Sequence, residues 1–79
     1  MPKIIVYSTP TCPYCVTLKD YLKAKELEFE DVNVAEDSAR ADEMIKKSGQ
    51  MGVPVVDIDG EIIIGFDREK INKSLNITD

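Results

Sequence analysis

The chain has no histidine, no tryptophan and only two cysteines in 79 residues. Two cysteines cannot build a disulfide-rich scaffold. With no histidine and no third cysteine, one chain cannot supply the usual four soft ligands of a structural zinc site. A zinc or iron–sulfur site shared by two chains stays open, which would make the protein a dimeric metal or cluster carrier. Positive charge is also scarce. Ten basic against fifteen acidic residues give a net charge of −5. That favours solubility and disfavours nucleic acid and anionic membrane as partners. No apolar stretch approaches the roughly 20 residues that span a bilayer. Nothing at the start resembles a signal peptide, because Met1-Pro2-Lys3 leads straight into a short apolar run. The expected location is therefore the cytoplasm. With 43% hydrophobic and 32% charged residues the chain reads as globular. Its length suits one domain over residues 1–79, monomeric, with a small core.

What is present is organised around Thr11-Cys12-Pro13-Tyr14-Cys15. Both cysteines lie there, two residues apart. In a reducing compartment such a pair is more often catalytic or metal-binding than structural. Before it stands a continuous apolar run, Lys3 to Tyr7, of the kind a doubly covered central strand shows. After it, Cys15, Leu18 and Leu22 recur with helical spacing, Tyr21 beside them, and predict a helix from Pro13 to about Lys25. Pro13 suits a first helical turn, where a missing N–H costs nothing, and Thr11 suits the N-cap or N′ position. Lys19, Asp20, Lys23 and Glu26 fall mostly on the opposite side and read as a solvated face.

The remaining chain punctuates itself. Phe29 to Val34 suits a short strand near a sheet edge. Asp37 or Ser38 can cap a second helix over about Ser38 to Lys47, with Lys46 and Lys47 at its negative end and Gly49 just past it. Gln50-Met51-Gly52 reads as a loop. Val53 to Ile58 predicts a strand opened by Pro54, Asp59-Gly60 a hairpin turn, and Glu61 to Ile64 the returning strand. Gly65-Phe66 ends it. Asp67 can cap a last short helix with Ile71 and Leu75 toward the core. The order βαβαββα makes an α/β fold. The first two strands, joined by a helix, should be parallel with a right-handed crossover.

A thiolate, not a thiol, attacks disulfides. The first N–H groups of a helix lack intrahelical partners and carry partial positive charge. Here they should face the sulfur of Cys12 and favour its thiolate. Cys15, one turn inward on the packed face, should be less exposed and harder to ionise. The roles follow from position: Cys12 attacks and forms a mixed disulfide, and Cys15 or a second small thiol resolves it. Val53-Pro54 has two readings. It is a strand-edge proline, or a cis bond that turns the Val53 N–H and C=O toward Cys12 so that an extended peptide can pair there. Gly65-Phe66-Asp67 is either a cap with a core phenylalanine, or a receptor for an α-amino-acid head through helix N–H groups and the Asp67 carboxylate.

Cys12-Pro13-Tyr14-Cys15, Val53-Pro54 before a hairpin, and glycine and aspartate before a final helix together resemble the glutaredoxin family over nearly the whole chain. Thioredoxins resemble it less, since Thr11 stands where they carry tryptophan. The glutaredoxin resemblance implies a thioredoxin-like fold, a four-stranded mixed sheet flanked by three helices, with a cis Pro54. It implies reduction of protein disulfides or glutathione mixed disulfides, with no bound cofactor and glutathione as co-substrate. Val53 would pair with the cysteine backbone of glutathione, Phe66 and Asp67 would receive its γ-glutamyl head, and Tyr14 would wall the site. Three positions depart from the family pattern. Thr9 replaces a frequent lysine, Gly52 replaces a threonine, and Ile64-Gly65 replaces a glycine pair. Gly65-Phe66 followed by Ile71 also resembles the small redoxins that serve ribonucleotide reductase, which take electrons from thioredoxin reductase and bind glutathione poorly. Thioredoxin reductase is thus the alternative electron donor.

Overall fold

A computed structural model describes residues 3–50 and 52–75. Met1, Pro2, Met51 of the expected loop, and residues 76–79 lie outside the described residues. The elements follow the expected order: β1 (Ile4–Ser8), α1 (Pro13–Ala24), β2 (Glu30–Asn33), α2 (Ser38–Ser48), β3 (Val55–Ile58), β4 (Glu61–Ile64) and α3 (Arg68–Leu75). The sheet runs β2-β1-β3-β4. β1 pairs parallel with β2 and antiparallel with β3, and β3 pairs antiparallel with β4. This is the four-stranded mixed sheet with three helices that the resemblance implied, with β2 at an edge.

The central strand explains the layering. All five residues of β1 are buried. Side chains alternate across a strand, so Ile4 and Val6 join one apolar cluster and Ile5 and Tyr7 another. The first cluster also takes Leu18 and Leu22 from α1, Val56, Ile58 and Ile63 from the hairpin, and Ile71 from α3. The second takes Val32, Met44 of α2 and Val55. Truncating a core leucine such as Leu18 to alanine should cost about 2–5 kcal/mol. Among the described residues no helix is long and apolar enough to cross a membrane.

Turn chemistry closes the elements. Asp59 and Gly60 both hold positive φ, 49° and 92°, as a two-residue hairpin turn requires. Asp37 caps α2, its carboxylate accepting from the Arg40 N–H at 3.1 Å. Lys46 is exposed at the end of α2, but Lys47 does more than face the helix end. Its ammonium donates to Asp57 at 2.7 Å and to the Tyr7 hydroxyl at 2.9 Å. The Tyr7 hydroxyl donates to Glu43 at 2.5 Å, and Arg40 joins Glu43 to Glu30. The Tyr7 hydrogen bond, ahead of the nearby cations, holds the Glu43 carboxyl below its usual range. On the α2 side of the sheet a polar network thus borders the second apolar cluster.

Candidate active site

The register brings three loops to one end of the sheet. Tyr7 lies opposite Val55, and Val55 opposite Ile64. The chain leaving β1 toward Cys12, the chain entering β3 through Val53-Pro54, and the chain leaving β4 through Gly65 all issue from that row. The last two are tied directly, since the Gly65 N–H donates to the Pro54 carbonyl at 2.8 Å. Gly65 holds φ 77°, a conformation that side-chain-bearing residues rarely adopt. The Val53–Pro54 peptide bond is cis, as the resemblance implied.

At the first loop, the Cys12 N–H donates to the Thr9 carbonyl at 3.4 Å and Pro13 opens α1. Cys12 is the N-cap, in extended conformation (φ −96°, ψ 108°), and Thr11 stands outside the helix and exposed. The Cys12 Sγ accepts the backbone N–H of Cys15 at 3.2 Å. A sulfur thus fills the place that a cap oxygen usually takes. Cys12 is half-buried, while Cys15 has no exposed surface. Burial first, and then the hydrogen bond with Cys12, push the Cys15 thiol up from 9.0 to about 11. Thr9, through a backbone hydrogen bond, and the Lys19 charge pull in the opposite direction. One thiol is therefore reachable and held by a helix N-terminus. The other is enclosed and kept protonated.

The remaining residues singled out in the sequence lie around this pair unequally. Tyr14, next to Cys12 in the motif, is 68% exposed. Val53 is half-buried and Pro54 buried at the start of β3. Phe66 is half-buried and packs on the core, its ring edge-on to Tyr21 at 5.7 Å. Asp67 caps the last helix by accepting from the Lys70 N–H at 3.1 Å. The cap and core-phenylalanine reading of that segment describes its contacts in this state. Among the described residues no group of three or more histidine, cysteine, aspartate or glutamate side chains could hold a metal ion.

Lys19, expected among the solvated charges of α1, is instead half-buried and paired with β2. Its ammonium lies 3.2 Å from Asp31 Oδ2 and 3.5 Å from the buried Ser8 hydroxyl, which itself donates to Asp31 Oδ1 at 3.1 Å. Lys19, Asp31 and Ser8 line a cleft of about 220 Å³ together with Thr9, Pro10 and Asn33. The available signal was its position one turn after Cys15 on the flank of the buried stripe.

The chain matches known proteins over most of its length. The glutaredoxin family description matches residues 4–63. A glutaredoxin-like 8.6 kDa protein of the Clostridium pasteurianum rubredoxin operon is 54% identical over 70 residues, covering 89% of this chain and 93% of that one. Glutaredoxin 3 of Escherichia coli strain K12 is 37% identical over 67 residues, covering 85% and 81%. Among solved structures, a point mutant of the thioredoxin-like protein BC3987 superposes with a TM-score of 0.91 at 38% identity, covering 99% of this chain and all of that one.

Proposed function

We propose a division of labour between the two thiols of this chain, which belongs to the glutaredoxin family and is a thiol–disulfide oxidoreductase with a Cys-x-x-Cys pair. Cys12 attacks the substrate disulfide and takes one half as a mixed disulfide. Cys15 then attacks Cys12, releases that half as a thiol, and leaves the enzyme oxidised. The observation that carries this reading is the asymmetry of the pair. The Cys12 sulfur accepts a helix N–H and is half-exposed, whereas Cys15 is enclosed and raised to about 11. An accessible sulfur with a fixed amide donor suits attack, and an enclosed one suits intramolecular resolution.

The substrates in this reading are disulfides of other proteins and mixed disulfides of glutathione, which acts as co-substrate rather than as a bound cofactor. The Val53 backbone would receive the extended peptide part of such a substrate, as an added strand beside β3. Tyr14 would wall the bound half. Phe66 and Asp67 would take the γ-glutamyl head at the start of α3. The domain would work alone, as a monomer in the cytoplasm, where reduced thiols persist. Cys12→Ser should abolish turnover. Cys15→Ser should keep the reduction of glutathione mixed disulfides and lose most dithiol chemistry. Equal loss in both variants would count against the assignment.

A second reading of the donor has its own support. Thr9 brings no cation to the loop before Cys12, so the glycine carboxylate of glutathione lacks one partner there, and Gly52 brings no hydroxyl. Reduction by a flavoprotein of the thioredoxin reductase type would need neither. Two parallel assays separate the readings. Oxidised protein is supplied with glutathione and glutathione reductase in one, and with thioredoxin reductase in the other. Turnover in one arm only names the donor.

A further inference from the structure

Charge is unevenly distributed along this chain. Three stretches carry none: residues 8–18, 48–56 and 62–66. All ten basic and all fifteen acidic residues lie outside them. In the fold these stretches hold the segments that issue from the row of Tyr7, Val55 and Ile64: the exit of β1 with the first turn of α1, the entry to β3, and the exit of β4. The charged residues next to these stretches are turned to partners of their own. Lys19 pairs with Asp31 and Lys47 with Asp57, while Glu61 accepts from the Ser74 hydroxyl and Asp67 from the Lys70 N–H. The same end of the sheet holds the exposed apolar surface. Among the described residues, the large hydrophobic side chains most open to solvent are Tyr14, Val16 and Ile64, at 68%, 50% and 52%. Tyr14 and Val16 lie in the first turn of α1, and the Val16 N–H donates to the Cys12 carbonyl. Ile64 ends β4 opposite Val55, one residue before the Gly65 N–H that donates to the Pro54 carbonyl. Exposed apolar surface gathered at one place marks an interaction site. The core of a protein interface is likewise poor in charge and rich in tyrosine.

We propose that this end of the molecule docks a protein segment whose cysteine is flanked by apolar, uncharged residues, and that Val16 and Ile64 set that preference. The inference rests on the reading of Cys12 as the attacking thiol, and it narrows the substrates proposed above to one occupant. Cys12 caps α1 at this end, so a disulfide that reaches its sulfur brings its flanking residues here. The surface matches such flanks in chemistry. Glutathione carries carboxylates and an ammonium, and the three stretches offer no charged side chain to pair with them. An uncharged flank gives up no ionic hydration on docking. It gains by covering the apolar surface of Tyr14, Val16 and Ile64. A contact made without counter-charges is also little affected by salt.

Synthetic peptides with one intramolecular disulfide test this, their cysteines flanked by leucine, serine or glutamate, with glutathione disulfide as a fourth substrate. Reduced protein in excess reduces each in a single turnover at low and at high sodium chloride. Each second-order rate constant is divided by that of dithiothreitol with the same disulfide, which removes intrinsic reactivity. The leucine-flanked peptide should react about tenfold faster than the serine-flanked one. Salt should change its rate less than about twofold. Val16→Ser and Ile64→Ser should each cut the preference for leucine to about threefold. Ile64→Lys should speed the glutamate-flanked peptide and make that reaction slow with salt, a gain that an unfolded variant would not show. A parent without preference for leucine overturns the proposal, and so does a parent rate for that peptide that falls steeply with salt. Parent-like preference in both serine variants, no gain in Ile64→Lys, or a faster reaction with glutathione disulfide than with the leucine-flanked peptide overturns it as well. Failure of the premise looks different: Cys12→Ser would still reduce the peptides, whatever their flanks.

Discussion

The starts of α1 and α2 share a geometry and differ in chemistry. Cys12 and Asp37 are both extended N-caps, at φ −96°, ψ 108° and φ −118°, ψ 97°. Each offers a side-chain atom to the N–H three residues on, at 3.2 Å and 3.1 Å. In α2 the acceptor is a carboxylate, an effective cap that complements the positive end of the helix. In α1 it is a sulfur, a weak acceptor when neutral and a good one when ionised. α3 repeats the α2 solution with Asp67 and Lys70. The chain therefore uses aspartate where a helix start only has to hold. It uses cysteine at the start that carries the thiol pair. The helix N-terminus that meets a fixed carboxylate in α2 meets the accessible sulfur of Cys12 in α1.

The largest way to break this comparison is Cys12→Ser. Serine is a good N-cap, so the fold should persist with a thermal midpoint close to the parent. Disulfide turnover should fall at least about a thousandfold, because the one remaining thiol, Cys15, is enclosed. An active variant would mean that Cys12 is only a cap. Next in size is Asp37→Ala, which should cost about 1 kcal/mol in denaturant unfolding and leave turnover alone. If it also slowed turnover, the two helix starts would not be independent. Cys12→Asp sharpens the same point from the other side. It should gain about 0.5 kcal/mol over the reduced parent in the same unfolding measurement, and be inactive. A further effect concerns pH. Cys15 is held at about 11 in the folded chain against 9.0 ordinarily. The folded state thus favours the protonated thiol, and the stabilisation it lends is complete below pH 9. As pH rises from about 9 through 11 the unfolded chain ionises first, and that stabilisation is lost. Unfolding of the reduced protein at pH 8 and pH 10 should show the decline, and Cys15→Ala should remove it.

The elements were legible because their signals are local. The apolar run from Ile4, the spacing of Cys15, Leu18 and Leu22, the Asp59-Gly60 turn and the Asp37 cap each declare themselves within a few residues. The thiol pair was legible for the same reason, as was its asymmetry, since position on a helix separates a cap from a packed face. What the sequence left open depended on partners distant in the chain. Lys19 and Lys47 lie on helix surfaces where solvent is the ordinary expectation. Only the pairing of β1 with β2 and β3 sets Asp31 and Asp57 beside them. The place of Phe66, between the core and an amino-acid receptor, turned on the side of α1 that carries Tyr21. Whether Thr11 was the N-cap or the N′ residue, with Cys12 then the cap, stayed open for a chemical reason: thiols are outside the usual set of capping side chains.

Cys15 has no surface that a reagent can touch. In a chain whose Cys12 is serine, a bulky maleimide can reach the remaining sulfur only when the opening turn of α1 lifts off the sheet. The labelling rate then counts those liftings, and the second thiol becomes a clock for the breathing of the helix that carries it.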